Sequence, residues 1–87
     1  MQKAVLMTYH LIYDKKAEKK LYNLEKDMIV RIIEKLDKAI SNPFRYFERL
    51  EGRNDYKMRV GDIRILAYVD GNRIVITEIG HRKNVYE

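Results

Sequence analysis

The sequence predicts an α+β fold in which one strand and two helices are followed by three further strands. Three observations support this prediction: a short β-branched and aromatic segment near the start, apolar residues at helical spacing in the middle, and alternating apolar and polar residues in the last third. The chain has 87 residues, the length of one small domain. We therefore expect residues 1–87 to form a single domain, with an α-helical hairpin packed on a mainly antiparallel four-stranded sheet.

Short local signals predict the first strand and the first helix. Residues 8–13 are rich in β-branched and aromatic side chains, which is typical of a strand. Asp14 is the predicted N-cap, because its carboxylate can accept hydrogen bonds from the free N–H groups of a first helical turn. Ala17, Leu21 and Leu24 then recur at helical spacing and predict a short amphipathic helix.

The second helix has the clearest periodicity in the chain. Pro43 ends it, because proline disfavours the helical conformation of the residue before it. Phe44, Phe47 and Leu50 follow at a spacing of three and predict one or two more helical turns. The apolar stripe of the second helix comprises Met28, Ile29, Ile32, Ile33, Leu36, Ala39 and Ile40.

Three strands are predicted after the helical region, over residues 55–60, 63–69 and 73–79. Gly61-Asp62 and Asp70-Gly71-Asn72 join them as turns, and Asp-Gly between strand-like segments is a strong hairpin signal. We therefore expect these strands to be antiparallel neighbours.

The composition excludes several classes of protein. The chain has no cysteine, which excludes a disulfide scaffold and zinc sites built from cysteine. No apolar segment approaches the ~20 residues of a membrane span. Residues 1–7 are too short for the apolar core of a signal peptide. We therefore expect a cytoplasmic protein.

The formal net charge is +5, and the two types of basic residue are distributed unevenly along the chain. Eight of the nine basic residues up to position 42 are lysine, whereas seven of the nine after it are arginine. Arginine binds phosphate in a fixed bidentate geometry, and lysine acts as a mobile point charge. The arginine-rich half is therefore typical of a surface that recognises a polyanion, although a basic protein with no specific partner would explain the net charge equally well.

Strand alternation predicts a cluster of cations in this half. Met58 and Val60 would point to one face of their strand, and Lys57 and Arg59 to the other. The two cations would then lie about 7 Å apart, close to the spacing of successive phosphates. Arg64, on the next strand, can join the same surface. A single strand arginine is more often solvated or ion-paired, but three clustered cations favour phosphate binding.

The C-terminal segment adds basic and aromatic groups that suggest RNA chemistry. A tyrosine ring can stack on a base of single-stranded RNA, and its phenol near cations is a better base. Cleavage of RNA without a metal needs a base for the 2′-OH, cations for the charge at phosphorus, and an acid for the leaving 5′-oxygen. The candidate catalytic residues are Lys57, Arg59, Arg64, Arg82 and Tyr86, and the candidate RNA-binding residues are Lys57, Arg59, Arg64, His81, Arg82 and Lys83.

No metal or cofactor site is predicted. The chain has two histidines and no closely spaced set of carboxylates. His10 lies within the first strand and is interpreted as structural. His81 is either a loop residue without an assigned task or a peripheral member of the site. The four glycines are interpreted as turn glycines and not as a phosphate-binding loop.

Two segments of the C-terminal half resemble a known family. They are Leu50-Glu51-Gly52 followed by Tyr56-Lys57-Met58-Arg59-Val60-Gly61-Asp62-Ile63-Arg64-Ile65, and Ile79-Gly80-His81-Arg82-Lys83-Asn84-Val85-Tyr86. The sequence resembles the RelE/ParE toxin superfamily, and RelE in particular, which has a microbial RNase-like fold. The likeness covers nearly the whole chain, because both predicted helices stand where that family has its helical hairpin. Met7-Thr8-Tyr9 resembles a usual family beginning, so residues 1–6 are either an N-terminal extension or a misplaced start.

The resemblance implies a toxin of a type II toxin–antitoxin system. Such a toxin is a ribosome-dependent mRNA endonuclease that cleaves mRNA in the ribosomal A site, uses no metal or cofactor, and is neutralised by a RelB-like antitoxin. By position, Lys57 and Arg59 match the paired basic residues of the family site, and Arg64 matches the arginine that steadies the scissile phosphate. Arg82 matches an arginine proposed as acid or phosphate ligand, and Tyr86 a tyrosine proposed as base and stacking platform.

Two other functions stay open on the sequence alone. The first is a ParE-like toxin that inhibits DNA gyrase without enzymatic activity. Such relatives do not need the full set of basic residues and tyrosine, so the presence of this set favours the endonuclease. The second is a regulatory nucleic-acid-binding protein with no activity of its own.

Overall fold

The computed structural model describes residues 8–50 and 55–81. These residues form an α+β domain, as the sequence predicts. Its elements in chain order are β1 (His10–Tyr13), α1 (Lys15–Tyr22), α2 (Lys26–Ala39), α3 (Pro43–Tyr46), β2 (Glu48–Arg49), β3 (Tyr56–Val60), β4 (Ile63–Asp70) and β5 (Arg73–His81).

The strands form one mixed sheet in the order β1-β5-β4-β3-β2. β1 is parallel to β5, and the other three pairs are antiparallel, which confirms the mainly antiparallel sheet. The described residues contain five strands instead of the four predicted, because the two-residue strand β2 pairs with the start of β3. The predicted helical region over residues 44–50 is correspondingly wrong in its second half. Such a short strand has no periodicity of its own and exists only through its long-range partner.

The two main helices begin and end on local signals. The predicted N-cap is confirmed, because the Oδ1 atom of Asp14 accepts a hydrogen bond from the backbone N–H of Lys16 at 2.8 Å. α1 ends at Tyr22, and α2 starts at Lys26 after a three-residue connection. The chain therefore reverses in a helical hairpin. None of the helices in the described ranges is long and apolar enough to cross a membrane.

The core lies between the helices and one face of the sheet. In α2, Ile32, Leu36 and Ala39 are fully buried, whereas Ile33, a member of the predicted stripe, is 44% exposed. The buried stripe is narrower than predicted because one face of the helix is enough to cover the strands beneath it. The main core cluster comprises Ala17, Leu21, Ile32, Leu36, Ala39, Phe47, Met58, Val60, Ile63, Ile65, Ala67, Ile74, Ile76 and Ile79.

Two features adjust the last three strands. A bulge between β4 and β5 inserts Thr77, so that Ile76 and Ile79 both face the core. The turn between β3 and β4 contains Gly61 at φ +59°, a backbone conformation that favours glycine. A Cβ atom on Gly61 would lie 3.1 Å from the Cε atom of Met28 in α2. The turn is thus packed closely against α2, which fixes the end of the β3–β4 hairpin.

Candidate nucleic-acid interface

Three predicted site residues meet on the sheet face opposite the helices. Met58 and Val60 of β3 belong to the core, so Lys57 and Arg59 point to the other face, as predicted. The register pairs Arg59 directly with Arg64 across β3 and β4. Opposite residues of an antiparallel pair share a face, with Cβ atoms about 5 Å apart. The structure therefore brings Lys57, Arg59 and Arg64 together.

The pairing of Arg59 with Arg64 places two like charges directly opposite each other. In a sheet such a pair is destabilising unless neighbouring groups offset the repulsion. On the other side of β4, Arg64 is paired with Gly80, which has no side chain to compete for space on that face. A surface that concentrates arginines in this way is typical of a site that binds an anion.

Lys57 is held by a carboxylate that sequence analysis did not identify. Its Nζ atom lies 3.5 Å from the Oε1 atom of Glu48, and the register places these two residues directly opposite each other across β2 and β3. The Glu48 side chain is 76% exposed, so the ion pair contributes little to stability and can be exchanged for a phosphate. The unpredicted strand β2 thereby supplies an acidic neighbour that orients Lys57.

Arg64 is more enclosed than Arg59. The residue is half-buried, and its Nε atom lies below the molecular surface. Burial of the side-chain stem restricts where the guanidinium can point. The structure therefore makes Arg64 a fixed cation, whereas Arg59 is exposed.

Arg59 also faces a groove between α2 and the outer edge of β3. The groove has a volume of about 490 Å³ and is lined by cations of both elements. The contribution of the α2 cations to this groove was not predicted from the sequence. The spacing of Arg31, Lys35 and Lys38 at i, i+4 and i+7 is the signal that places them on one side of the helix. The lining residues are Arg31, Glu34, Lys35, Lys38, Tyr46, Arg59, Val60 and Gly61.

The remaining predicted residues are not grouped with these three. His81 is exposed and pairs with Ile63, whose side chain faces the core. It lines a groove of about 480 Å³ on the helix side, together with Met28 and Arg31. The structure therefore separates His81 from Arg59 and Arg64. Arg82, Lys83 and Tyr86 lie outside the described residues.

The arrangement is suited to a phosphodiester. Three cations on two adjacent strands can contact successive phosphates, and arginine can stabilise negative charge that develops on phosphorus without losing a proton. Within residues 8–50 and 55–81, no three His, Cys, Asp or Glu side chains are grouped where they could hold a metal ion. The cations on this face are suited to anion binding and charge stabilisation.

Comparison with known proteins gives a consistent result. A family model described as the ParE toxin of the type II toxin–antitoxin system parDE matches residues 11–86. A search of curated proteins found no match.

Several solved structures share the fold. The chain is 27% identical to a chain of the archaeal RelE–RelB complex from Pyrococcus horikoshii, with 91% of this chain and 100% of that chain covered and a TM-score of 0.75. It is 25% identical to a chain of the RelB–RelE antitoxin–toxin complex from Methanococcus jannaschii, with coverages of 86% and 94% and a TM-score of 0.72. A chain of the intact E. coli RelBE toxin–antitoxin complex is 20% identical, with coverages of 84% and 95% and a TM-score of 0.74, which shows the shared fold alone.

Proposed function

The chain belongs to the ParE toxin family of type II toxin–antitoxin systems, within the RelE/ParE superfamily, and we propose that it is a ribosome-dependent endonuclease that cleaves mRNA in the ribosomal A site. The observation that carries this proposal is the direct pairing of Arg59 with Arg64, next to Lys57, on the sheet face opposite the helices. Two arginines in this register are suited to bind the phosphates of an RNA backbone.

The cleavage step uses the ribose of the substrate as nucleophile. A base removes the proton from the 2′-OH, the 2′-oxygen bonds to the adjacent phosphorus, and the bond from phosphorus to the 5′-oxygen breaks. An acid protonates that leaving oxygen, so the products are a 2′,3′-cyclic phosphate and a 5′-hydroxyl. DNA lacks the 2′-OH and cannot react in this way.

The described cations serve the charge that develops in this step. Arg59 and Arg64 neutralise the extra negative charge of the pentacoordinate phosphorus, and Lys57 contacts the substrate backbone beside them. We assign the base and stacking platform to Tyr86, and the acid or a further phosphate contact to Arg82, by resemblance to the family. This assignment extends the site beyond the described residues.

We further propose that a RelB-like antitoxin binds the toxin and blocks the cationic face. The support is that the similar solved chains come from complexes of RelE with RelB. An antitoxin that supplies carboxylates could replace the phosphates at Arg59 and Arg64. Co-expression with the neighbouring gene of the operon, followed by purification of the complex, tests this proposal.

Primer extension on mRNA from a translating extract tests the endonuclease. Addition of the wild-type protein should produce cuts at a fixed position within codons, and RNA without ribosomes should stay intact. Arg64→Ala should abolish the cuts, whereas Arg45→Ala, which removes an exposed arginine of α3, should leave them unchanged. Cutting by Arg64→Ala at the wild-type rate would contradict the proposal.

A second candidate is inhibition of DNA gyrase, because the matching family model is that of the ParE toxin. A supercoiling assay with purified gyrase separates the two functions. Loss of supercoiling without any cut in mRNA would favour gyrase inhibition over the endonuclease.

A further inference from the structure

The outer edge of β3 changes its neighbour part-way along the strand. β2 pairs only with Tyr56 and Lys57. From Met58 to Val60, no strand lies beside this edge in the part of the chain that the structure describes. An edge without a neighbouring strand leaves backbone groups to be satisfied by other means. Since Arg59 lies in this open part, the position of the edge bears directly on the cationic face.

One side chain of α2 occupies the gap. The Nζ atom of Lys35 donates a hydrogen bond to the backbone carbonyl oxygen of Arg59 at 2.9 Å. A charged donor makes this a stronger bond than a neutral pair would form. Lys35 is half-buried and also lines, with Tyr46 and Arg59, the grooves on this side of the sheet. The helix thus supplies the donor that a neighbouring strand would otherwise provide.

The other end of this link is anchored in the core. Ile32 and Leu36 flank Lys35 on α2, and both side chains are fully buried. The backbone of Lys35 is therefore fixed relative to the sheet, and its side chain connects a rigid helix to a free strand edge. The hydrogen bond from Lys35 therefore ties β3 to α2 at Arg59.

We propose that Lys35 is a positioning residue for the RNA-cleaving site. By holding the Arg59 carbonyl against α2, it sets where the Arg59 guanidinium lies relative to Arg64. The catalytic consequence rests on the proposed endonuclease function, but the contact that holds the strand does not. A displacement of about 1 Å at a reacting site can cost about 100-fold in rate, so a single strand-edge bond is sufficient to matter.

A direct phosphate contact by Lys35 would give a different result. Loss of such a contact removes one charge and weakens substrate binding, as the loss of another lysine in the same groove would. Loss of a positioning bond misplaces Arg59 in the bound complex and lowers the rate of the chemical step. The two roles therefore separate in KM and kcat.

Three variants test the proposal in ribosome-dependent mRNA cleavage. Lys35→Met removes the donor and keeps a similar stem, and Lys35→Arg keeps a donor. Lys26→Met is the control, because it removes the same charge from an exposed position at the start of the same helix. We expect Lys35→Met to lower kcat about tenfold with KM changed less than about twofold. Lys35→Arg should recover most of the rate, and Lys26→Met should keep the wild-type kcat. Equal kcat values for Lys35→Met and Lys26→Met, or a rise in KM alone, would overturn the proposal.

The chemical shift of the Arg59 carbonyl carbon, measured by NMR in the free protein, provides a readout that needs no activity. It should change in Lys35→Met and stay unchanged in Lys26→Met. An unchanged shift in Lys35→Met overturns the positioning role. A wild-type protein that cuts no mRNA overturns the endonuclease instead, so the two failures are distinguishable.

Discussion

The two faces of the sheet are built from the same strands but differ in the residues they carry. On the helix side, Met58 and Val60 of β3 are 2% and 6% exposed and pack in the main core cluster. On the other side, the same strand presents Lys57 and Arg59. One face buries apolar area, and the other places cations next to each other. β3 therefore contributes one half of its residues to the core and presents the other half at the proposed anion-binding site.

The largest expected effect is on the helix side. Met58→Ala should lower the free energy of unfolding by about 2–5 kcal/mol, because it leaves a cavity in a close-packed core. Met58→Leu is the control and should cost less than about 1.5 kcal/mol. Urea denaturation measures both. At low temperature the folded fraction of Met58→Ala should still cleave mRNA at a rate near wild type. Equal stability of the alanine variant and wild type would show that this face is not the core.

A loss of activity without a loss of stability is expected on the opposite face. Arg64→Gln should lower kcat/KM for mRNA cleavage by about 10²–10³-fold, which is typical for removal of a group that stabilises transition-state charge. Its melting temperature should stay within a few degrees of wild type. Arg45→Gln serves as the control at an exposed arginine of α3. A parallel loss of folding and activity in Arg64→Gln would remove the distinction between the two faces.

A change in the turn between β3 and β4 should have an intermediate effect on stability. Gly61→Ala should destabilise the protein by about 1–2 kcal/mol through its positive φ alone, and the contact with Met28 adds to this cost. Gly71→Ala is a matched control, because Gly71 has φ +62° but nothing within 4 Å of an added Cβ atom. The melting temperature of Gly61→Ala should therefore be lower than that of Gly71→Ala. Identical melting temperatures would mean that the packing of the turn against α2 has no energetic weight.

The smallest expected effect is a gain in stability. Arg59→Gln removes one of two like charges in direct register, so the free energy of unfolding should rise by about 0.2–1 kcal/mol. The gain should shrink as salt is added, because salt screens the repulsion between exposed charges. Cleavage activity should fall in the same variant. A fall in stability at low salt would show that Arg59 stabilises the sheet instead of straining it.

Local patterns were sufficient for most of the elements. The Asp14 cap, the periodicity of α2 and the turns at Gly61 and Gly71 depend on residues near each other in the chain, and the structure agrees with them. Gly80 was wrongly interpreted as a turn glycine, because it lies within β5, where it pairs with Arg64. The two-residue strand β2 could not be predicted, since it depends on pairing with residues seven to nine positions further on. The helical prediction for residues 47–50 failed for the same reason, because pairing with β3 overrode a weak local spacing.

The candidate site was also predictable only where it depends on a single segment of the chain. Alternation along β3 was enough to predict that Lys57 and Arg59 share a face, because strand geometry fixes that relation within a single segment. Only the sheet register decided that Arg59 faces Arg64, that Glu48 contacts Lys57, and that His81 lies on the helix side.

The sequence by itself therefore determined most of the elements, the family resemblance and the cationic character of one strand face. The tertiary structure alone decided which groups meet across the chain, and above all that Lys35 of α2 binds the backbone of Arg59. The physical reason is that local conformation depends on near neighbours, whereas a contact between a helix side chain and a strand edge depends on how separate elements pack. That packing places Lys35, from the lysine-rich first half of the sequence, at the edge of the proposed site.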